Sequence, residues 1–342
     1  MTFSFSKRRM SSSDAALIAS LNNVSNGISR YLSIFIYLFG IIGNVLNVLL
    51  LSQKTLRTNP CSLYFLASSV ANIIAIVSGL TTKMLTGWVP DVSNTIDWLC
   101  QFRIFILFAS KNVAAWLILL ASIDRWFVSH INANRRKQST IKNTRYGIIL
   151  TIVFSIVIYS PVFYCYQANL INAPIKCYGK TEVCRLLNDL IYAILTIIVP
   201  IVFMLIYGVM TLINIQQVKI RIHIANASKS TNTVNSVASA VLTQASKKKL
   251  DRRLFVMLIV QVILLTLFTL PQAIRKLYSS LTTQQTQTLL NLTINNFIFN
   301  LLLLLTYIAN GMPFYIYTLS GGTVFRNALK GLFRKTFSIG CH

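Results

Sequence analysis

Residues 100–126 read CQFRIFILFASKNVAAWLILLASIDRW. Cys100 stands at one end of this mostly apolar stretch, and Asp124-Arg125 stands 24 residues later at the other. A helix rises ~1.5 Å per residue, so the interval spans ~36 Å, about one bilayer. The spacing places a cysteine at one membrane face and an acid–base pair at the other. The cysteine can be bridged in an oxidising space, while the pair can meet a cytosolic partner.

The rest of the chain repeats the pattern of apolar runs. Of its 342 residues 54% are hydrophobic and only 11% charged, less than half the charged fraction of a typical soluble domain. Seven runs are long enough to span, at about 31–53, 62–84, 98–123, 145–168, 187–214, 254–274 and 289–319. Lipid offers backbone groups no partner but one another, so these runs are expected to be helices. The short alternating segments of a barrel are absent. The fold class is therefore an all-α membrane protein, a seven-helix bundle.

The net charge of +25 could suggest a nucleic-acid partner, but its distribution argues against one. With the N-terminus outside, the inner segments carry 20 of the 32 basic residues and 2 of the 7 acidic ones. The outer segments and span ends carry 10 basic and 5 acidic residues. Orientation follows the basic excess, so the N-terminus is expected outside and the C-terminus in the cytoplasm. Lys7-Arg8-Arg9 begins like a signal peptide, but the apolar part after it is too short, so the first span is expected to act as signal anchor. Asn23-Val24-Ser25 is a glycosylation sequon on the expected outer side. Residues 1–30 form the expected extracellular tail. Residues 216–250 form a polar third inner loop, with Ser228, Ser230 and Thr231 as candidate phosphosites.

With Cys100 before Asp124-Arg125, Pro200 in the fifth run and Pro271 in the sixth, the chain over residues 31–335 resembles the rhodopsin-like G protein-coupled receptors. Asn59-Pro60-Cys61-Ser62-Leu63-Tyr64 and Phe314-Tyr315-Ile316-Tyr317-Thr318-Leu319-Ser320-Gly321 further resemble invertebrate neuropeptide receptors of the FMRFamide type. The resemblance implies an extracellular peptide ligand, a cytosolic heterotrimeric G protein, a plasma-membrane location and no cofactor or metal. It also implies an eighth, amphipathic helix within 322–342, where Phe325, Leu329, Leu332 and Phe333 recur at helical spacing. Cys341 is a candidate palmitoylation site there.

Several positions depart from the family pattern. Asn72 stands where the family carries the Asp of a sodium site, and Ala114 replaces a hydroxyl, so Asn72 and Asn44 are expected to serve as interhelical polar contacts. Thr151 and Thr269 replace tryptophans. Gly208 stands at a tyrosine position, with Tyr207 beside it. The helix-seven motif is altered: aligning Tyr317 with its tyrosine leaves Pro313 at the Asn position and Phe314 at the Pro position.

By the same resemblance, Arg125 is the signalling residue, paired at rest with Asp124 and with Asp251, twenty residues before Pro271. Pro200 and Pro271 are expected hinges, because each removes a helix hydrogen bond. Cys100 is expected to bridge to the second outer loop, where Cys177 and Cys184 are both candidates. Cys177, 23 residues before Pro200, stands at the more usual distance. Cys165 and Cys184 could form a second bridge, and the choice among the three partners stays open.

Leu107 occupies the position of an amine receptor's Asp, so a biogenic amine is not expected. Lys83, Arg103, Lys111, Arg275 and Lys276 instead lie in or just beyond the outer halves of helices two, three and six. A lysine as deep as Lys111 needs a cavity or a partner, which points to an anionic or carbonyl-rich ligand group. Asp189 and Glu182 could receive a cationic group. A divergent decoy receptor is the second reading and a seven-span transporter or channel the third. The latter would want acidic relays or an internal repeat, and neither is evident. An enzyme is not expected, because His130, His223 and His342 lack any nucleophile–base arrangement.

Overall fold

The computed structural model describes residues 12–85, 92–170, 176–227, 238–281, 289–320 and 329–331. Seven helices are long and apolar enough to cross a membrane. Helix one is Ser12–Leu51, helix two Pro60–Leu85 and helix three Asp97–Ser129. Helix four is Ile141–Tyr159, followed by a turn at Ser160-Pro161 and a short segment Val162–Cys165. Helix five runs from Glu182 to Ala227, helix six is Ala238–Leu281, and helix seven is Leu289–Gly311 with Pro313–Ser320 after a one-residue break. Helix three lies inside, against helices two, four, five and six, while helix one closes the ring against two and seven.

Two expected boundaries move. Helix one starts at Ser12, so most of the stretch read as a tail is helical. Its 40 residues span ~60 Å, twice the hydrocarbon core, so its first half is surplus to the crossing. The expected third inner loop narrows as well. Helix five continues to Ala227 and helix six begins at Ala238, in an Ala-, Gln- and Lys-containing stretch with good helix propensity. Ser228, Ser230, Thr231, Cys341 and most of the expected eighth helix lie outside the described residues; Leu329–Gly331 is helical.

Small residues set how closely helices one and seven approach. A Cβ added at Gly311 would sit 3.0 Å from the Gly40 Cα, and one added at Gly40 would sit 2.7 Å from Ile76 Cδ1. Close approach of this kind drives helix association in lipid, where apolar burial alone gains little. Asn44 fastens the same contact: its Nδ2 donates to the Gly40 carbonyl at 2.8 Å and to the Asn310 carbonyl at 3.0 Å, across to helix seven. Gly311→Val is expected to cost about 1–3 kcal/mol, because backbone rather than a flexible side chain stands in the way. The cost would be read as a lower melting temperature of the detergent-solubilised protein. An unchanged melting temperature would show that the two helices do not meet there.

Helix five is not α-helical throughout. Tyr192–Ile198 forms a π-helical segment between Glu182–Ile191 and Val199–Ala227. In that pattern each N–H reaches the carbonyl five residues back, and Val199 N accordingly donates to Ile194 O. Pro200 comes next and has no N–H for Leu195 O. The Trp116 indole of helix three fills that place, with Nε1 donating to Leu195 O at 2.9 Å.

Candidate ligand and output sites

Two polar regions lie at opposite ends of helix three. At the Cys100 end, disulfides join Cys100 to Cys177 and Cys165 to Cys184. A two-stranded ladder, Tyr166–Gln167 against Tyr178–Gly179, lies between them, and Asp97 Oδ1 accepts from Ala168 N at 2.7 Å. The loop is thereby pinned to the start of helix three and to the start of helix five. Burial, reinforced by Asp189, holds the Tyr166 phenol well above its ordinary pKa. Neutral and fixed, that oxygen accepts from Asn188 Nδ2 at 3.0 Å.

Beneath the loop the bundle interior is cationic and aromatic. Lys111 is 6% exposed. Its Nζ donates to Thr306 Oγ1 at 3.0 Å and stands 4.0 Å from the Tyr307 ring centroid and 5.9 Å from that of Tyr192. Lys276 lies 5.2 Å from the same Tyr192 ring and forms an ion pair with Asp189. Lys83 Nζ donates to Asn300 Oδ1 at 3.0 Å, and Arg103 Nη1 donates to Thr82 Oγ1 at 2.5 Å. Arg275 is half-buried, with its guanidinium 5.9 Å from the Tyr278 ring. Leu107 packs against the apolar cluster of Ile36, Ile76, Leu80, Leu304 and Tyr307. Glu182 is exposed in the first turn of helix five, away from this group. Ion pairing thus reaches Lys276, whereas Lys111 is held by a hydroxyl and two ring faces.

Gln272, next to Pro271, is fully buried, and neither end of its amide has a hydrogen-bond partner among the described residues. Leaving such a group unpaired costs about 1–3 kcal/mol. Its signal in the sequence is an amide inside the apolar sixth run, beside the helix-six proline.

At the other end, Arg125 Nη2 stands 2.7 Å from Asp124 Oδ2 and donates to Asn59 Oδ1 at 3.2 Å. Asn59 Oδ1 also accepts from Cys61 N, so the residue just before helix two both caps that helix and holds Arg125. Asp124 Oδ1 takes a second hydrogen bond, from Ser139 Oγ at 2.5 Å. The Asp251 side chain, the other expected partner of Arg125, lies outside the described residues. Tyr317 is fully buried; its ring lies 4.9 Å from that of Phe65, and its Oη donates to Gln261 Oε1 at 2.6 Å, joining helix seven to helix six. Neither Asn59 nor Ser139 nor Gln261 stood out as a site residue. Gln261 has a readable signal, as one of two amides within the apolar sixth span.

Other candidates fall elsewhere. Asn72 is buried in helix two and forms no hydrogen bond among the described residues. The polar contacts of helix two run through its neighbours instead: Ser68 donates to Ala114 O, and Asn47 of helix one donates to Ser69 Oγ. Asn23 is exposed on helix one. Pro200 is buried and Pro271 half-buried, each within a helix.

A bundle of seven spanning helices, bridged over one end by Cys100–Cys177 and carrying a buried Asp-Arg pair at the other end of helix three, defines a seven-transmembrane receptor. The family described as "7 transmembrane receptor (rhodopsin family)" matches residues 43–317, and the chain belongs to it. It is also similar to two Caenorhabditis elegans proteins. It is 22% identical over 161 residues to "G-protein coupled receptor dmsr-1", covering 45% of this chain and 31% of the relative. It is 24% identical over 142 residues to "Neuromedin U receptor homolog nmur-2", covering 41% and 35%. The matched part is about a third of the length of each relative.

Proposed function

We propose that this receptor binds an extracellular peptide at the Cys100 end and activates a cytosolic heterotrimeric G protein at the Arg125 end, through outward movement of helix six. It would act at the plasma membrane with its N-terminus outside, as the basic excess of the Arg125-side segments favours. The observation that carries the ligand reading is buried Lys111 and half-buried Lys276 around Tyr192 and Tyr307, with Asp189 as the paired carboxylate and half-buried Lys83 on Asn300. Such a set suits an acidic or carbonyl-rich group. The Gln272 amide, without a partner among the described residues, offers N–H donors and a carbonyl acceptor, the complement of a peptide unit. One relative's printed name, "Neuromedin U receptor homolog", agrees with a peptide ligand.

The output reading rests on Arg125, held by Asp124 and Asn59, and on the Tyr317–Gln261 bond. Separating helix six from helix seven would break that bond, a two-state contact of the kind switching requires.

A neuropeptide library screened in cells expressing the receptor with a promiscuous G protein tests the proposal. Against an active peptide, Lys111→Gln is expected to lower potency by about ten- to a hundredfold, the loss of a buried charge-assisted contact of about 1.5–3 kcal/mol. Wild-type potency at equal surface expression would remove Lys111 from the site. Transport of a solute without G protein activation would favour the transporter reading.

A further inference from the structure

We infer that Ser139 is a phosphorylation site at which a basic-directed serine kinase uncouples the 130–140 segment from Asp124. Ser139 is half-buried at the end of an exposed stretch, residues 132–138. Arg135, Arg136 and Lys137 stand four, three and two residues before it, all exposed. A kinase whose peptide groove is lined by carboxylates reads such a run as its recognition element. The segment is lightly held. Arg136 Nη1 donates to the His130 and Ile131 carbonyls at 3.2 and 3.1 Å, and the Arg135 guanidinium lies 5.2 Å from the Trp126 ring. Ser139 N closes a turn on Arg136 O at 3.3 Å.

The Ser139 hydroxyl ties this segment to helix three, beside the Arg135–Trp126 contact. It donates to Asp124 Oδ1 at 2.5 Å, within the range of a charge-assisted bond. Asp124 Oδ2 meanwhile holds Arg125. In the modification Ser139 Oγ attacks the γ-phosphorus of ATP and gives its proton to the kinase's base. The new O–P bond forms as the β–γ bridge breaks, and ADP leaves. The product has no hydroxyl proton to donate and carries a charge of about −1.5 to −2 beside a carboxylate. Repulsion replaces the hydrogen bond. The exposed guanidiniums of Arg135 and Arg136 offer the phosphate a counter-charge, so the loop swings off Asp124. The site therefore acts on the partner of Arg125 without touching Arg125.

The test uses the full-length receptor in nanodiscs, treated with an arginine-directed serine/threonine kinase domain and ATP. Both faces are open there, so the result does not depend on the orientation proposed above. Mass mapping is expected to place phosphate on Ser139, with less in Arg136→Gln and none at this position in Ser139→Ala. Amide exchange across 130–140 is expected to quicken several-fold in the phosphorylated receptor, beyond its level in Ser139→Ala, because charge adds to the lost bond. Phosphate confined to Thr140 or to serines of 216–250 would overturn the proposal. So would phosphorylated Ser139 with exchange at 130–140 no faster than in Ser139→Ala.

Discussion

Arg125→Ala is expected to abolish agonist-stimulated nucleotide exchange on the G protein and to destabilise the receptor itself. The two losses have separate origins. Arg125 and Asp124 are almost wholly buried, at 3% and 6% side-chain exposure. Removing the guanidinium leaves the carboxylate with Ser139 as its hydrogen-bond donor. Breaking a buried ion pair from one side costs about 3–5 kcal/mol, most of it the penalty of the stranded charge. Asp124→Asn in the Arg125→Ala background removes that charge, so it should restore much of the melting temperature while leaving signalling absent. A double variant that melts as low as Arg125→Ala would show that the pair is not what the stability rests on. Full signalling by Arg125→Ala at matched surface density would remove Arg125 from the output.

The second large effect is expected from Cys100→Ser. The Cys100–Cys177 bridge joins residues 77 apart and ties the loop to the first turns of helix three, whereas Cys165–Cys184 joins residues 19 apart. Loss of a native bridge costs about 2–5 kcal/mol. On the chain-entropy account the longer loop gives the larger share, by about 1 kcal/mol. Cys100→Ser should therefore reduce properly folded surface receptor more than Cys165→Ser does, with peptide response falling in parallel. Equal surface levels for the two variants would mean that loop length does not govern the difference.

Much of this architecture is legible in the sequence for a plain reason. A bilayer leaves a spanning segment so few options that length and apolarity locate it. Lys111 is legible on the same logic, since a lysine that deep demands an explanation. Helix ends are less legible: nothing in Ser12–Ser29 marks a change between tail and helix, and the continuation past residue 216 rests on ordinary helix propensity. The partners of the polar residues are least legible. Asn59 meets Arg125 across 66 positions, Tyr317 meets Gln261 across 56, and Lys276 meets Asp189 across 87. Those meetings depend on how helices rotate against each other, which local pattern does not encode. Ser139 is hidden for a different reason: its meeting with Asp124 is set by how the loop after helix three folds back, which no motif marks.

The π-helical turn at Tyr192–Ile198 sets the phase of helix five. A π turn accommodates one residue more than an α turn, and one α-helical residue corresponds to about 100° of rotation. Everything before Tyr192 is therefore phased differently from what an unbroken helix traced back from Pro200 would give. Asp189 faces Lys276, and Cys184 faces Cys165, only in that shifted phase. The extra residue works as a vernier. It lets the part of helix five after Pro200 keep the pitch of its neighbours while the part before Tyr192 is dialled independently onto the loop that Cys100–Cys177 pins. Evolution could therefore re-aim the Glu182 end of this helix by gaining or losing a single residue, leaving the Ala227 end untouched.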